Sequence, residues 1–528
     1  MPDKTVRYIL TPKVADGKIS AISVLEILSG KCFEPEEAFS DMEKALGGCL
    51  SAWYGDGDIF AEDALGDPGI VMKESDGIRT YAFERKTAGN VTLKYSASVF
   101  PLFHWPNPAL SLHNRSTGAT GFADTFLLNP FGVWDYTIEY DETEIPGTVS
   151  ACSYGIGTIE KGPLERAAAD DICFAFGAPY RFNNGGKLNI LYFENDLRFM
   201  DEITRNISAY FDYMDRKFSG PDKPYFIFLY RKDKVFNIDL TGTASQNVCL
   251  MGYGDALVDR YKDVESTIVH ELVHNFLYLD EENAAYASFF SEGTADYFSI
   301  MIPFLLGAND REATMKEFNR FLRFYYSNPR KETSLEDAYE KSWTHSYAAR
   351  VIYGKGLVFM MTLEALLKEH HSEKALIDIM SDLKVRQKKE EVSLRDFLDT
   401  MDAYTAGGSS QCFLQLSGEA KAVPPSRFIE GYHLARGSVR VEDNGFDETV
   451  AFSDPKVVTG IRAESNAYKA GLRNGDVILN KIDEWTLGWN EEQMAVLNVK
   501  RDGRTLEVRY LARGEETCAF HYKKDEGL

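Results

Sequence analysis

The chain is short of cations. Its 58 Lys and Arg stand against 81 Asp and Glu, a formal net charge of −23. A field of that sign repels polyanions, so neither nucleic acid nor an anionic membrane surface is an expected partner. No run of about eighteen apolar residues occurs, and no segment reads as a membrane-inserting helix. Met1-Pro2-Asp3-Lys4-Thr5-Val6 has no apolar signal core. The expected compartment of the chain as written is the cytoplasm, or the periplasm or exterior if a leader has been removed. The seven cysteines are odd in number and include no C-x-x-C pair, so neither a disulfide framework nor a cysteine metal site follows. Cys249, in an apolar stretch, reads as core packing.

Apolar material is plentiful. At 44% hydrophobic and 13% aromatic, the 528 residues suit packed domains and exceed what one compact core holds. The expected fold is multidomain α+β, in three parts. Residues 1–170 show short alternating runs broken by Gly, Asp and Pro, such as Arg7-Tyr8-Ile9-Leu10-Thr11 and Ile22-Ser23-Val24-Leu25-Glu26-Ile27, and read as a β-sandwich-like domain. Residues 171–444 begin with strand-like runs at 188–193 and 225–230 and a helical stretch from Asp196 to Lys217. They continue mainly as amphipathic helices near 264–279, 283–305, 312–325, 346–369 and 374–387. Residues 445–528 return to strands with one short helix. There Val457-Val458-Thr459-Gly460-Ile461 reads as a strand and Asp502-Gly503 as a hairpin turn.

The chemistry concentrates in His270-Glu271-Leu272-Val273-His274 and, eighteen residues on, Glu292. Histidines four apart on a helix stand on one face and reach one metal ion. Glu271, about 100° further round the helix, sits beside the metal as a base for a water rather than as a ligand. A hydrolytic zinc site takes three protein ligands and keeps one open position. Glu292 is the expected third ligand, on a following helix folded back by a short loop. Asp296, one turn after Glu292, is placed to accept a hydrogen bond from the free ring nitrogen of either histidine. The motif lies in an apolar helix, where burying two imidazoles and a carboxylate is costly without a metal to partner them. One Zn2+ per chain is therefore expected.

H-E-x-x-H followed by Glu292-Gly293 with Tyr297 resembles the gluzincin metallopeptidases. A β-rich N-terminal domain, a thermolysin-like mainly helical catalytic domain and a C-terminal PDZ-like domain resemble the glycyl aminopeptidase family among them. The PDZ resemblance rests on Ser465-Asn466-Ala467-Tyr468-Lys469-Ala470-Gly471-Leu472-Arg473-Asn474-Gly475-Asp476-Val477-Ile478, close to S-P-A-x-x-A-G-L-x-x-G-D-x-I. The family implies a peptidase acting on peptides or proteins, with a further peptide ligand at the PDZ-like domain. It also implies a catalytic tyrosine just before a K-G pair, here Tyr353 in Tyr353-Gly354-Lys355-Gly356, donating to the oxyanion.

The chain departs from the family at the G-x-x-E motif, whose glutamate grips the substrate's amino group. Gly242-Thr243-Ala244-Ser245-Gln246 has Ser245 at the acid's position. Ser245 and Gln246 are the expected substrate-binding pair; they can bond a peptide backbone but supply no charge for an ammonium. Endopeptidase action on the same site is the alternative to aminopeptidase action. Hydrolysis of another electrophile and an inactive metal-stabilised peptide-binding scaffold are the remaining rivals.

Overall fold

The computed structural model describes residues 4–46, 49–100, 111–195, 200–220, 223–232, 240–245, 247–257, 261–342, 344–345, 347–453, 455–480 and 484–525. Two compact units emerge. One comprises Met1–Ser208, Pro221–Val235 and Asp239–Val264; the other comprises Ala209–Gly220, Phe236–Ile238 and Glu265–Leu528. Among the described residues no helix is long and apolar enough to cross a membrane.

The first unit is β-rich. Its largest sheet has the order Ile159–Glu165, Val133–Tyr140, Thr5–Ala15, Lys18–Ser29, Val91–Ser98, Phe60–Glu62. Only the central pair, Thr5–Ala15 with Val133–Tyr140, is parallel. Alternation in the sequence explains these strands: Val6, Tyr8 and Leu10 are buried while their neighbours face outward. Asp16 and Gly17 take left-handed φ of 52° and 74°, turning the first two strands into a tight hairpin. A five-stranded antiparallel sheet includes Gly118–Phe122 and Cys173–Ala178. The helix Arg166–Asp170 (α1) follows the strand Ile159–Glu165.

A second five-stranded sheet has the order Tyr180–Asn183, Leu188–Tyr192, Tyr225–Arg231, Val248–Tyr253, Leu240–Ser245. Its three inner strands are parallel and nearly continuous apolar runs, as expected for strands covered on both faces. Cys249 is buried in one of them. Leu240–Ser245 is the antiparallel edge strand. The helix Met200–Lys217 (α2) agrees with the periodic stretch read from Asp196, of which residues 196–199 lie outside the described ones.

The helices of the second unit follow the periodic segments closely. They are Tyr261–Phe276 (α3, begun in the first unit), Ala284–Leu305 (α4), Arg311–Tyr326 (α5), Leu335–Lys341 (α6), Ala349–Glu369 (α7), Leu376–Gln387 (α8), Leu394–Thr405 (α9) and Gly408–Ser417 (α10). Asn283 caps α4 by accepting from the Ala285 and Tyr286 amides. Two glycines decide how α4 meets α7. A Cβ on Gly293 would stand 2.4 Å from the Gly356 carbonyl carbon. One on Gly356 would stand 2.6 Å from the Phe289 carbonyl oxygen and 2.7 Å from the Gly293 Cα. The two helices therefore touch backbone to backbone.

The C-terminal part of this unit has a long antiparallel ribbon, Tyr432–Glu442 with Arg513–Lys524, and an antiparallel sheet of order Lys456–Val457, Val477–Ile478, Met494–Arg501, Arg504–Leu511. Two short helices, Asn466–Lys469 (α11) and Glu484–Trp489 (α12), accompany that sheet. Ser465 caps α11 by accepting from the Tyr468 amide, Leu472 is buried, and Asp476 accepts two bonds of 2.6 Å from Arg501. Asp502 and Gly503, at φ 48° and 76°, make the expected hairpin. The strand expected over 457–461 ends at Val457. Gly460 turns left-handed at φ 62°, and the Ile461 amide donates to the Asn474 side chain instead of continuing a ladder.

Gly356→Ala is expected to cost about 3 kcal/mol, the upper end of overpacking penalties, because rigid backbone faces the added methyl. Equilibrium denaturation measures this. Wild-type stability in that variant would mean the helices have room to part.

Candidate metal centre

His270 and His274 are one turn apart on α3, a helix anchored by buried Ile268, Val269, Leu272, Val273 and Phe276. The loop to α4 is pinned by the Asp280 amide, which donates to the Val392 carbonyl, and by the Val392 amide, which donates back to the Asp280 carboxylate, both at 2.9 Å. The Leu394 amide adds a 3.0 Å bond to Glu281. With its start capped and its loop tied down, α4 carries Glu292 to the two imidazoles.

Three atoms converge. The Nε2 atoms of His270 and His274 are 3.1 Å apart, and Glu292 Oε2 lies 3.2 Å from the first and 3.6 Å from the second. The edge of a tetrahedron with zinc–ligand bonds near 2.0–2.1 Å is about 3.3 Å, so the spacing fits three ligands of one small cation. Glu292 Oε2 is buried and accepts no hydrogen bond among the described residues; neither nearby imidazole is aimed at it. Such an atom is costly unless something positive sits in front of it. The donor set of two nitrogens and one carboxylate oxygen suits zinc. Among the described residues His270, His274 and Glu292 form the one group able to hold a metal ion in this way.

The outward ring nitrogens are occupied. His270 Nδ1 is 2.9 Å from Asp296 Oδ1, and His274 Nδ1 is 2.8 Å from Ser291 Oγ. Both contacts use the nitrogen facing away from the convergence point, leaving both Nε2 lone pairs for a cation. Burial alone would lower the His270 pKa, but the hydrogen bond it donates to Asp296 and the negative charges of Asp296 and Glu292 outweigh it and raise it well above the ordinary value. The negative field that would hold a proton there equally favours a metal ion. Burial pushes His274 down to about 4, which keeps that imidazole neutral and able to ligate.

Glu271 is not one of the three converging groups and is 9% exposed. Burial pushes its carboxyl up to about 7, with His270 opposing and the Glu292 charge adding to the rise. Tyr353, on the second turn of α7, hydrogen-bonds Glu292, and its ring lies parallel to that of His270 with centroids 6.2 Å apart. Burial, with the Glu292 charge behind it, keeps the phenol protonated. Glycine contact between α4 and α7 is what allows this meeting, since Glu292 precedes Gly293 and Tyr353 is three residues before Gly356.

The structure thus brings together six of the residues singled out in the sequence: His270, Glu271, His274, Glu292, Asp296 and Tyr353. Ser245 is the last residue of the edge strand in the first unit, and its hydroxyl donates to the Asp171 carbonyl at 3.3 Å. Gln246 lies outside the described residues. Ser291 escaped the sequence reading. Its only signal is adjacency to Glu292, and serine beside a carboxylate is too common to be read alone. Lys355 also gains a meaning: buried, it donates to the Thr333 and Gly418 carbonyls at 2.6 and 2.7 Å and fastens α7 to two other segments.

No family model matches the chain, and no curated protein matches it. Among solved structures it is similar to an aminopeptidase N family protein from Idiomarina loihiensis. The TM-score is 0.68 at 14% identity, over 99% of this chain and 98% of that one. An M1 zinc metallopeptidase from Deinococcus radiodurans matches at TM-score 0.46 and 13% identity, over 80% of this chain and 94% of that one. Leukotriene A4 hydrolase from Saccharomyces cerevisiae matches at 0.46 and 14%, over 80% and 69%. The latter two scores are too low to carry the comparison further. The full-length likeness shows a shared fold: a β-rich N-terminal region and a helical middle arranged as in an aminopeptidase N family protein.

Proposed function

We propose that the chain is a zinc-dependent peptidase of the gluzincin kind, hydrolysing peptide bonds with Glu271 as general base. The observation that carries this reading is the convergence of His270 Nε2, His274 Nε2 and the orphaned Glu292 Oε2, with Glu271 and Tyr353 beside them. Zinc held by those three residues supplies Lewis acidity, lowering the pKa of a water and polarising a carbonyl. Glu271 takes the proton of the attacking water and hands it to the leaving amine. Burial raises the Glu271 carboxyl above its ordinary range, which strengthens it as a base for that proton. Tyr353 donates its phenolic proton in a hydrogen bond to the carbonyl oxygen as that oxygen gains charge. Asp296 and Ser291 fix the tautomer and direction of the two imidazoles.

The finer reading is an aminopeptidase-like enzyme similar to the glycyl aminopeptidases, with the segment from Ser465 to Ile478 as part of a PDZ-like module. Ser245 favours a second reading on the same site. It stands where those aminopeptidases carry the acid that grips the substrate amine, and a hydroxyl brings no charge to an ammonium. The second reading is an endopeptidase indifferent to a free N-terminus.

Glu271→Gln is expected to keep zinc at one equivalent by atomic absorption while peptide turnover falls by about 10³-fold. Full activity in that variant would end the mechanism. Asp296→Asn is expected to weaken zinc binding by about 10- to 100-fold in a competition titration with a chelator, because His270 loses its anionic partner. An unchanged affinity would leave Asp296 a packing role only. Matched peptides with free and acetylated N-termini discriminate the two specificities. Chelator-sensitive cutting confined to free peptides identifies an aminopeptidase, and equal cutting of both an endopeptidase. No cutting of either by the zinc-loaded protein would overturn the peptidase reading.

A further inference from the structure

One charged pair in the second unit is almost wholly shut away from solvent. Arg350 and Glu442 have side-chain exposures of 0% and 2%. Arg350 donates from both terminal nitrogens to the two oxygens of Glu442, each at 2.7 Å. The Ser327 hydroxyl adds a 2.7 Å bond to Glu442 Oε1, and the Glu442 amide donates to the Ser327 carbonyl at 2.8 Å. Arg350 also donates to the Phe324 carbonyl at 2.6 Å and stacks on the Phe324 ring at 3.7 Å. Glu442 ends the strand Tyr432–Glu442, so the carboxylate comes from the C-terminal ribbon. A second C-terminal element closes the same pocket. A Cβ on Gly488 of α12 would come within 2.7 Å of the Arg350 guanidinium, and the neighbouring Trp489 stacks on Phe324 at 3.9 Å.

A buried ion pair is a poor source of net stability, because well-packed apolar side chains of similar size serve as well or better. What a two-pronged guanidinium–carboxylate contact does give is direction and distance. Direction matters at this end of α7. Its N-cap, Ala348, offers no side-chain cap, and Arg350 is the second residue of the helix. Six residues on, Gly356 touches α4. Between these two anchors, which are about 9 Å apart along the axis, stands Tyr353. The helix is held by backbone contact with α4 at Gly356 and by Glu442 at Arg350, and Tyr353, whose phenol reaches Glu292, stands in the turn between.

We propose that Glu442, through Arg350, is a positioning residue for Tyr353, so that the C-terminal ribbon forms part of the working centre although it contributes no group to it. This rests on the peptidase reading and on Tyr353 as its oxyanion donor. Loss of the Glu442 charge frees the first turn of α7 and lets the phenol drift, while the zinc ligands on α3 and α4 keep their places. The predicted signature is a fall in kcat with KM and zinc content unchanged.

A double-mutant cycle on the full-length zinc-loaded protein tests this, using Glu442→Gln, Tyr353→Phe and the pair, assayed on a mixed-sequence peptide library with free N-termini. Glu442→Gln is expected to retain one zinc, to leave KM within about twofold and to lower kcat about tenfold, as small misplacements of a reacting group do. In the Tyr353→Phe background the same change is expected to add nothing. Hydrogen exchange of residues 349–353 is expected to quicken while that of α4 stays as it was. Losses that multiply in the double variant would overturn the proposal, and so would a rate that falls only in step with zinc content. If Tyr353→Phe alone keeps full rate, the role of Tyr353 falls and the positioning role with it. If Tyr353→Phe is impaired and the losses multiply, only the positioning role falls. Should Glu442→Gln not fold, Ser327→Ala removes one bond to Glu442 and keeps both charges. It is expected to lower kcat about twofold to threefold in the presence of Tyr353 only, and an unchanged kcat would overturn the proposal.

Discussion

Backbone contact between Gly293 and Gly356 sets the distance on which the whole centre depends. Helices normally pack 8–10 Å apart, with side chains filling the space between them. Here nothing fills it at the crossing point, and even a methyl group on either glycine would strike main-chain atoms. The residues next to the crossing inherit this closeness. Glu292 reaches the histidines of α3 from one side and is met by the Tyr353 phenol from α7 on the other. Side chains of fixed length on separate helices meet in this way where the helices are unusually near.

Closeness of this kind concentrates polar groups in a largely buried place. Glu271, Glu292 and Asp296 crowd around two imidazoles, and burial acts on every one of them. Each charge has an answer within the cluster. Asp296 faces His270, Ser291 faces His274, and Tyr353 donates to Glu292, while Glu292 Oε2 alone is left for a cation. Glu271 is set apart by one step of the helix. Without a ligand's partner to hold its charge, it responds to burial by rising toward neutrality. Two carboxylates twenty-one residues apart in the chain thereby acquire opposite tendencies, Glu292 held below the ordinary carboxyl range and Glu271 pushed above it.

Much of this was legible in the sequence because it is written at short range. The helical period carries His270 to His274 and Glu292 to Asp296, and strict alternation exposes strands such as Thr5–Ala15. Asp16-Gly17 and Asp502-Gly503 announce their hairpins by the left-handed conformations they require. What stayed hidden is long-range. Gly293 and Gly356 look like helix weakeners until the crossing is seen. Ser327, Arg350 and Glu442 are ordinary residues in the chain, separated by up to 115 positions, and only folding makes them one cluster. The strand expected across Thr459-Gly460-Ile461 fails for a similar reason, since Gly460 turns left-handed and Asn474, thirteen residues after Ile461, takes the Ile461 amide.

The scarcity of cations gives the last piece its logic. In a chain of net charge −23, a buried positive group gains from the general field as well as from its own partner. Three cations of the second unit stand at joints. Arg350 faces a carboxylate and is a planar fork, matched oxygen for nitrogen by Glu442. Arg501 grips the buried Asp476 in the same two-pronged way and steadies the turn that follows α11. Lys355 faces two carbonyl oxygens that belong to different segments, where a compact ammonium with rotatable donors serves and a rigid fork does not. Arg350 and Lys355 flank Tyr353 on α7, one fastening the helix to the C-terminal ribbon and the other to the loops before α6 and after α10. The turn of α7 that carries Tyr353 is thus held by two buried charges, one on either side of it in the chain, and the C-terminal ribbon contributes to the frame around that helix.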